Sequence, residues 1–476
     1  LYIQQDSTGP SLVTDGNVGI GVTPEVTNSS HDALQVGGNG IWSSSGTQGA
    51  SGEMDIGHNF FYNAAGNEVY ISTDEATQYR QGGGVHRFKT VASGSADATI
   101  SWTTNMVVDI NSKISLSNND SGTSNTIFGK SAGASLDAGS NYNTFIGEAV
   151  SDATMNDATY NTAVGYNSMS ALTTGDHNVA IGASAGTVIN TGVKNVIIGK
   201  SAGDALTDSA ENVVIGYDSL GAGTSGMGGN VCIGNEAGNA INDGGSDYNV
   251  IIGISAGQGG AAAMADCIVM GRSAMNSTAA NAQTGTVAIG ALALTALTSG
   301  AGNVAVGYQS LDATGTGSDN TSIGHKALTT LPDGGDGNTA VGYQSMEAAN
   351  NASADNNTAV GKNSLVSLTT GSKNVAIGAL ALNECEGGTH NVMIGYSAGE
   401  HDSGTTDIVT PTYCVAIGHN VRMSGTSAAN EIVIGNEAVG QGNNTVTLGD
   451  DNVTAVYMSQ DSGATVYAAE TYLRKD

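Results

Sequence analysis

The sequence predicts an all-β fold, a repetitive β-solenoid of 17–19-residue coils, and three observations carry that expectation. The pattern Asn, β-branched, variable, large apolar, Gly recurs from Asn125–Gly129 to the last repeat glycine, Gly449. Most steps between closing glycines are 17 to 19 residues, with exceptions of 23 before Gly418 and 14 before Gly449. Gly is 70 of 476 residues and only 12% are charged, so helix-forming surface residues are sparse and short strands with tight turns are favoured. Disorder competes as a reading of so much Gly and Ser, and it fails because β-branched residues return on schedule.

Along the chain, residues 1–120 lack the period, hold Trp42 and Trp102, and are expected to form a non-repetitive β cap or attachment region. Stretches such as Met106–Ile110 and Glu68–Ile71 alternate as strands do. Residues 121–449 form the shaft, and 450–476 a C-terminal segment with possible strands at Thr454–Met458 and Ala464–Ala468 around Asp461-Ser462-Gly463. Seventeen steps from Gly129 to Gly435 give a shaft of roughly 80 Å at ~4.8 Å per stacked strand.

Each column of the repeat has an expected place. The pre-glycine residue (Ile181, Ile377) and the β-branched residue two before it (Val179, Val375) share one side of the strand and are assigned to the coil interior. The residue between them (Ala180, Ile197, Val214, Ala376) then faces outward. It is apolar too, which calls for neighbouring chains, and its small alanines suit a three-chain bundle. The first column holds Asn125, Asn143, Asn161, Asn178, Asn195, Asn212, Asn230, Asn249, Asn303, Asn320, Asn338, Asn357, Asn374 and Asn391. Stacked at strand spacing, these amides are expected to form a structural hydrogen-bond ladder, and Asn also tolerates the turn that opens a strand. The third residue after the glycine is small (Ala185, Ser219, Ala327). The fourth is either Gly (Gly186, Gly203, Gly257), read as a sharp corner, or Leu/Met (Leu311, Leu328, Met346), read as an interior plug.

The charge of −29 argues against nucleic acid and anionic membrane surfaces as partners. No apolar run reaches the ~18 residues of a membrane span. Leu1 opens without a charged leader or an apolar signal region, so a processed, truncated or non-Sec-exported product is expected. The four cysteines form no CxxC and no Cys/His cluster, so no zinc site is expected. Cys267 and Cys414 replace ladder asparagines eight steps apart, too far for a disulfide within one chain. Free buried thiols suit assembly in a reducing compartment.

Catalysis finds little support. His177 and His390 occupy equivalent turn positions many coils apart. A glycan-cleaving site needs two carboxylates ~5–9.5 Å apart in a groove, and Glu384/Glu386 or Asp333/Asp336 are turn neighbours read as solvated charge. No cofactor is expected; Asp-Gly turns leave weak Ca²⁺ binding open, without an EF-hand spacing. Tyr166, Tyr217, Tyr308, Tyr343 and Tyr396 follow the repeat glycine, while Tyr142, Tyr160, Tyr248 and Tyr413 precede the Asn. The first row is a candidate glycan contact, since aromatic faces stack on sugars; the plainer reading packs them over coil corners or between chains.

The segment Asn17-Val18-Gly19-Ile20-Gly21-Val22-Thr23-Pro24 resembles a signature of bacteriophage tail fibre proteins, and Asn303-Val304-Ala305-Val306-Gly307-Tyr308 resembles their repeats. Ala455–Ser459 with Gly463–Tyr467 resembles the segment that often precedes their self-cleaving C-terminal chaperone. The repeats are also similar to the heads of YadA-like trimeric autotransporter adhesins, although no heptad stalk and no C-terminal membrane strands are present in the sequence. The resemblance implies a non-enzymatic homotrimeric fibre of a phage tail or tail-like particle, located on the virion and outside cells. Its partners would be baseplate or tail proteins and a host-surface glycan or protein receptor. A cell-surface adhesin head is the alternative, and a glycan-degrading tailspike comes third. Recognition is expected on the inter-coil turns, including the insertion His401–Pro411, and at the two ends.

Overall fold

In the computed structural model, residues 18–20, 31–36, 40–45, 52–108, 114–116, 124–260, 263–277, 282–331, 334–349, 353–404 and 406–456 are described. The chain is all-β, and no helix occurs among them. It divides into two compact units, residues 1–147 with 154–159, and residues 148–153 with 160–476. The Asn17–Pro24 motif, apart from Val18–Ile20, and the expected strand Ala464–Ala468 lie outside the described residues. So do Tyr457 and Met458 of the other tail strand, and its described part, Thr454–Val456, is not in a strand.

The first unit is built on a mostly antiparallel sheet. Strands Asp74–Gly82 and Val85–Gly94 pair through Gly83-Gly84, whose φ angles of 60° and 76° match the left-handed turn that a twisted hairpin requires. A second hairpin, Phe60–Tyr62 with Glu68–Tyr70, buries Phe60, Phe61, Val69 and Tyr70. Trp102 meets the Phe60 ring edge-on at 5.4 Å. The first two repeat strands, Thr126–Phe128 and Thr144–Ile146, also belong to this unit and pair in parallel.

The second unit is the solenoid. Three-residue strands pair in parallel, in chain order and in strict register, so that Val179 lies beside Val196, Ala180 beside Ile197 and Ile181 beside Ile198. About 17 such turns stack. Corners are made by single left-handed residues at the second and fourth positions after the repeat glycine, as at Ser184 (φ 58°) and Gly186 (φ 56°), and just before the Asn, as at His177 (φ 59°). Asn itself is therefore not the turn-former; the residue preceding it is. The corners stay bonded to neighbouring coils, with Ser184 N–H donating to Tyr166 O at 2.8 Å and Gly186 N–H to Ala202 O at 2.9 Å.

The repeat glycine is required sterically. At Gly199, φ is 139° and a Cβ would stand 2.2 Å from the carbonyl oxygen of Gly216 in the next coil.

The faces of the strand are the reverse of the sequence expectation. The middle residue points inward: Ala163, Ala180, Ile197, Val214, Cys232 and Ala376 are fully buried. The β-branched residues are half-buried on the outside, and the pre-glycine Ile181 and Ile377 are each 39% exposed. A three-residue strand gives alternation but not its phase. The buried asparagine fixes that phase, because side chains two apart share a side and Asn178 is two before Ala180.

The two kinds of fourth residue share one backbone conformation. Leu311, Leu328 and Met346 are buried plugs as expected. However, they hold φ of 51–53°, the same left-handed corner as Gly203 at 52°. What separates them is volume. Leu or Met stands opposite a small inward residue, as in Ala305/Leu311, Ser322/Leu328, Ala340/Met346 and Ala376/Leu382. Glycine stands where a large side chain of its own coil or the next takes the space: a Cβ on Gly203 would come within 3.4 Å of Ile197 Cδ1, one on Gly399 within 2.9 Å of Met393 Sδ, and one on Gly186, whose own inward residue is Ala180, within 3.2 Å of Ile197 Cδ1 in the next coil.

Two outcomes are expected. Ala180→Asp buries an unpaired carboxylate and costs several kcal/mol, whereas Ile181→Asp leaves the coil folded; circular dichroism with thermal melting separates the two. Ala376→Ile overfills its coil and destabilises by about 1–3 kcal/mol, and adding Leu382→Gly restores most of the loss in a double-mutant cycle.

Candidate functional surface

The asparagine column is a buried network in two runs. Asn195 Nδ2 donates to Asn178 Oδ1 at 3.0 Å and to Ser209 O at 2.7 Å. Its Oδ1 accepts from the backbone N–H and the Nδ2 of Asn212, both at 3.1 Å. The pattern runs from Asn161 through Asn249 and resumes from Asn303 through Asn391. In the first unit Asn143 N–H donates to Asn125 Oδ1 at 2.8 Å. Cys267 and Cys414 each end a run, donating a backbone N–H to the preceding amide oxygen at 3.0 Å but carrying no amide onward. Glu431 takes the same column position. It is fully buried and accepts from the N–H groups of Ser424 and Gly442 and from the Ser424 hydroxyl, each at 3.0 Å.

The acidic turns also bind between coils. Asp336 Oδ1 accepts from Ser318 N–H at 2.7 Å, Asp355 Oδ1 from Asp336 N–H at 3.0 Å, and Asp247 Oδ1 from Gly228 N–H at 2.7 Å. All three lie two before the Asn column, and Asp336 is one of the residues expected from sequence to be solvated charge. Their shared column was the available signal. Of the proposed carboxylate pairs, Glu384 receives Asn383 Nδ2 at 2.7 Å, and Asp333 lies outside the described residues. Among the described residues no group of three or more His, Cys, Asp or Glu is placed to hold a metal.

The exposed tyrosines stack with histidines, a pairing that the sequence reading missed. The Tyr308, His325 and Tyr343 rings follow one another at 5.3 Å each, and Tyr396 lies 5.4 Å from His419. Lys362 Nζ lies 5.8 Å from the Tyr343 ring and Lys200 Nζ 5.7 Å from that of Tyr217. Tyr166 is exposed. In the column before the Asn, Tyr160 stacks on His177 at 5.0 Å and His390 on Tyr413 at 4.9 Å. Ring spacing follows strand spacing, about 4.8 Å, so neighbours in a column must meet. His177 and His390 do not meet each other; each has a tyrosine instead.

The His401–Pro411 insertion leaves the ladder unbroken. Asp402 Oδ1 accepts from the N–H groups of Gly404 and Thr406 at 2.8 Å, Ile408 returns to the interior, and Asn391 Nδ2 donates to Pro411 O at 2.8 Å. All four cysteines are free and buried, and burial pushes the Cys232 and Cys385 thiols up to about 12. They are therefore poor nucleophiles in the folded chain.

The first unit holds one buried charged cluster. Arg80 Nε donates to Asp55 Oδ1 at 2.7 Å, and its Nη2 reaches Glu68 and Tyr62. The Tyr62 hydroxyl lies 2.8 Å from both Asp55 Oδ2 and Glu68 Oε1. Gln78 Nε2 donates to Glu68 Oε1 at 2.8 Å and Trp102 Nε1 to Glu68 Oε2 at 2.7 Å. Every carboxylate oxygen is engaged inside the protein, so the group ties the hairpin to the sheet. Burial pushes the Glu68 carboxyl up, but Arg80 and the hydrogen bonds from Gln78, Tyr62 and Trp102 outweigh it and hold the carboxyl below its usual range.

Comparison with known proteins finds no matching family model, no matching curated protein and no matching solved structure.

The sign of the Glu68 shift sets a pH dependence. A lowered folded-state value contributes stability that is complete above the ordinary glutamate value of about 4.3 and is lost as pH falls through the lower folded-state value. Acid titration followed by tryptophan fluorescence should show the first unit weakening below about pH 4. Glu68→Gln should lower stability at neutral pH and flatten that acid slope. An unchanged slope in the variant would remove Glu68 from the account.

Proposed function

We propose that the chain is the shaft of a homotrimeric fibre of a phage tail or tail-like particle, and that it serves attachment to a host surface. The observation that carries the assembly is the outer strand face. Its pre-glycine column is apolar in every coil, and its other outward column is Val or Ile in most coils, with Thr162, Thr321, Thr339 and Thr358 as the exceptions in the second unit; these residues stay half-buried or exposed in the single chain. A sheet face bound for water would alternate to polar residues.

The strip is long enough for a stable interface. At ~4.8 Å per strand, about 17 turns make it roughly 80 Å long, and two columns ~7 Å apart with their side chains make it about 10 Å wide. That is on the order of 800 Å² per chain, the usual share of one partner in a specific interface. The alanines, being interior, no longer bear on how closely chains approach. The face argues for partner chains, and the number three and the phage tail come from the resemblance of the flanks and repeats. In this reading the shaft is mechanical: a stiff rod presents weak contacts together, and their avidity sums.

Light scattering on the purified chain should give three times the monomer mass. A variant with both Ile181→Asp and Ile377→Asp should drop to smaller species while keeping its strand signal. A monodisperse folded monomer of the parent protein would overturn the assembly, and antibodies that label host envelopes but no virion tails would overturn the phage assignment in favour of an adhesin.

A further inference from the structure

The position directly after each repeat glycine forms an exposed column unlike the rest of this surface. From Tyr166 to Asn436 it contains no Asp or Glu, in a chain with 43 of them against 14 Lys and Arg. It carries Lys200, Arg272 and Lys362 with His325 and His419, all exposed. Five of the chain's 16 tyrosines fall in the same column. The stripe from Lys200 to His419 covers twelve coil steps, about 60 Å at strand spacing.

We propose that this stripe is a binding track for a carboxylate-bearing polysaccharide lying along the rod axis. The proposal names the ligand class of the attachment surface suggested above and rests on that reading for its biological use. Stacking decides the chemistry. The Tyr308 and Tyr343 rings are each covered by His325, and Tyr343 has Lys362 beyond it. Tyr343 thus has both faces covered, and Tyr308, Tyr396 and Tyr217 have one each, so this part of the track offers ring edges, hydroxyls, imidazole N–H groups and ammonium ions more than open ring faces. Such a surface bonds sugar hydroxyls and carboxylates better than it stacks neutral sugars. One coil rises by about the length of one sugar in an extended chain, so successive sugars meet successive coils.

The charge of −29 opposes an anionic ligand at long range, but beyond the ~8 Å screening length of physiological salt that field is damped. Contacts at hydrogen-bond distance survive. A nucleic-acid duplex is a poorer occupant, since it needs a broad basic surface and this stripe is one residue wide.

The test uses the full chain at physiological salt against immobilised polygalacturonate, with fully methyl-esterified polygalacturonate as the neutral control. Binding is expected to the acid and not to the ester. The combined variant Lys200→Gln, Arg272→Gln, Lys362→Gln should bind roughly tenfold more weakly, as three modest exposed contacts predict, with unchanged mass and circular dichroism. Tyr308→Ala with Tyr343→Ala should also weaken binding. No binding to the acid, equal binding to the ester, or full binding by the triple-glutamine variant would overturn the track. Dissociation of that variant into smaller species would also overturn it, because the column would then be a chain–chain contact. Host-cell binding run in parallel separates the two readings: cells held equally by parent and variant leave the fibre standing without the track.

Discussion

The asparagine ladder is the interaction on which the rest of the shaft depends. The Asn amide carries two N–H donors and a carbonyl acceptor on one short side chain, so each Asn can hold the coil before it and the coil after it. Asn195 does both and also ties down the turn carbonyl of Ser209. Because these groups are buried, a missing partner costs the desolvation of whatever is left unpaired, ~1–3 kcal/mol each. A slip in register orphans several groups together. The ladder therefore enforces one coil directly over the next, and strict register turns each repeat position into a column.

Column order has an energetic consequence for the interior. Each coil encloses few side chains, so the inward strand residue and the fourth residue after the glycine compete for one space. Ala376 with Leu382 and Ile197 with Gly203 are two solutions of similar volume. Interiors tolerate exchange when total volume is kept, and a stack whose coils contact only their neighbours lets the volume be balanced within a coil or with the adjacent one, as between Gly186 and Ile197. That locality explains how the repeat can vary from coil to coil while the register in every strand pair stays the same.

The fold class, the coil length and the ladder residues were legible because each recurs at a fixed spacing, and spacing survives projection onto sequence. The direction of the strand faces was not. With three residues per strand and apolar residues at all of them, alternation alone cannot say which side is in. The clue was present in Asn178 and Ala180, which share a side, since amides that bond one another from coil to coil belong inside, away from competing water. The aromatic pairs were missed for a different reason. Tyr308, His325 and Tyr343 look unrelated until the post-glycine residue is followed from coil to coil, and Asp336 and Asp355 look like loop charge until the same is done two positions before the Asn. The buried cluster around Arg80 had no such signal, because it joins residues from Asp55 to Trp102 in the part of the chain without a period.

Strict register also constrains where charge can be placed. Two like charges one coil apart repel by roughly 1 kcal/mol in water and by several times that near a protein surface. A column of lysines would push the coils apart. In the post-glycine column the cations Lys200, Arg272 and Lys362 never occupy successive coils, and uncharged residues or histidine stand between them, Tyr217, Asn235 and Ile254 in the first gap and Ala291, Tyr308, His325 and Tyr343 in the second. The column before the Asn uses the other remedy, setting Lys194 against Glu211 at 2.9 Å in the next coil. Acid is handled differently again. Asp336 and Asp355 are in adjacent coils, but each carboxylate receives a backbone N–H, at 2.7 and 3.0 Å, from the coil before it. Carboxylates can be anchored to backbone N–H groups in this way because they accept, whereas an ammonium group has no lone pair with which to do so. The stacked solenoid can therefore anchor many acids in its turns, whereas its cations are spaced out, with Lys200, Arg272 and Lys362 set several coils apart in the post-glycine column and Lys194, Lys326, Lys373 and Arg422 in other columns.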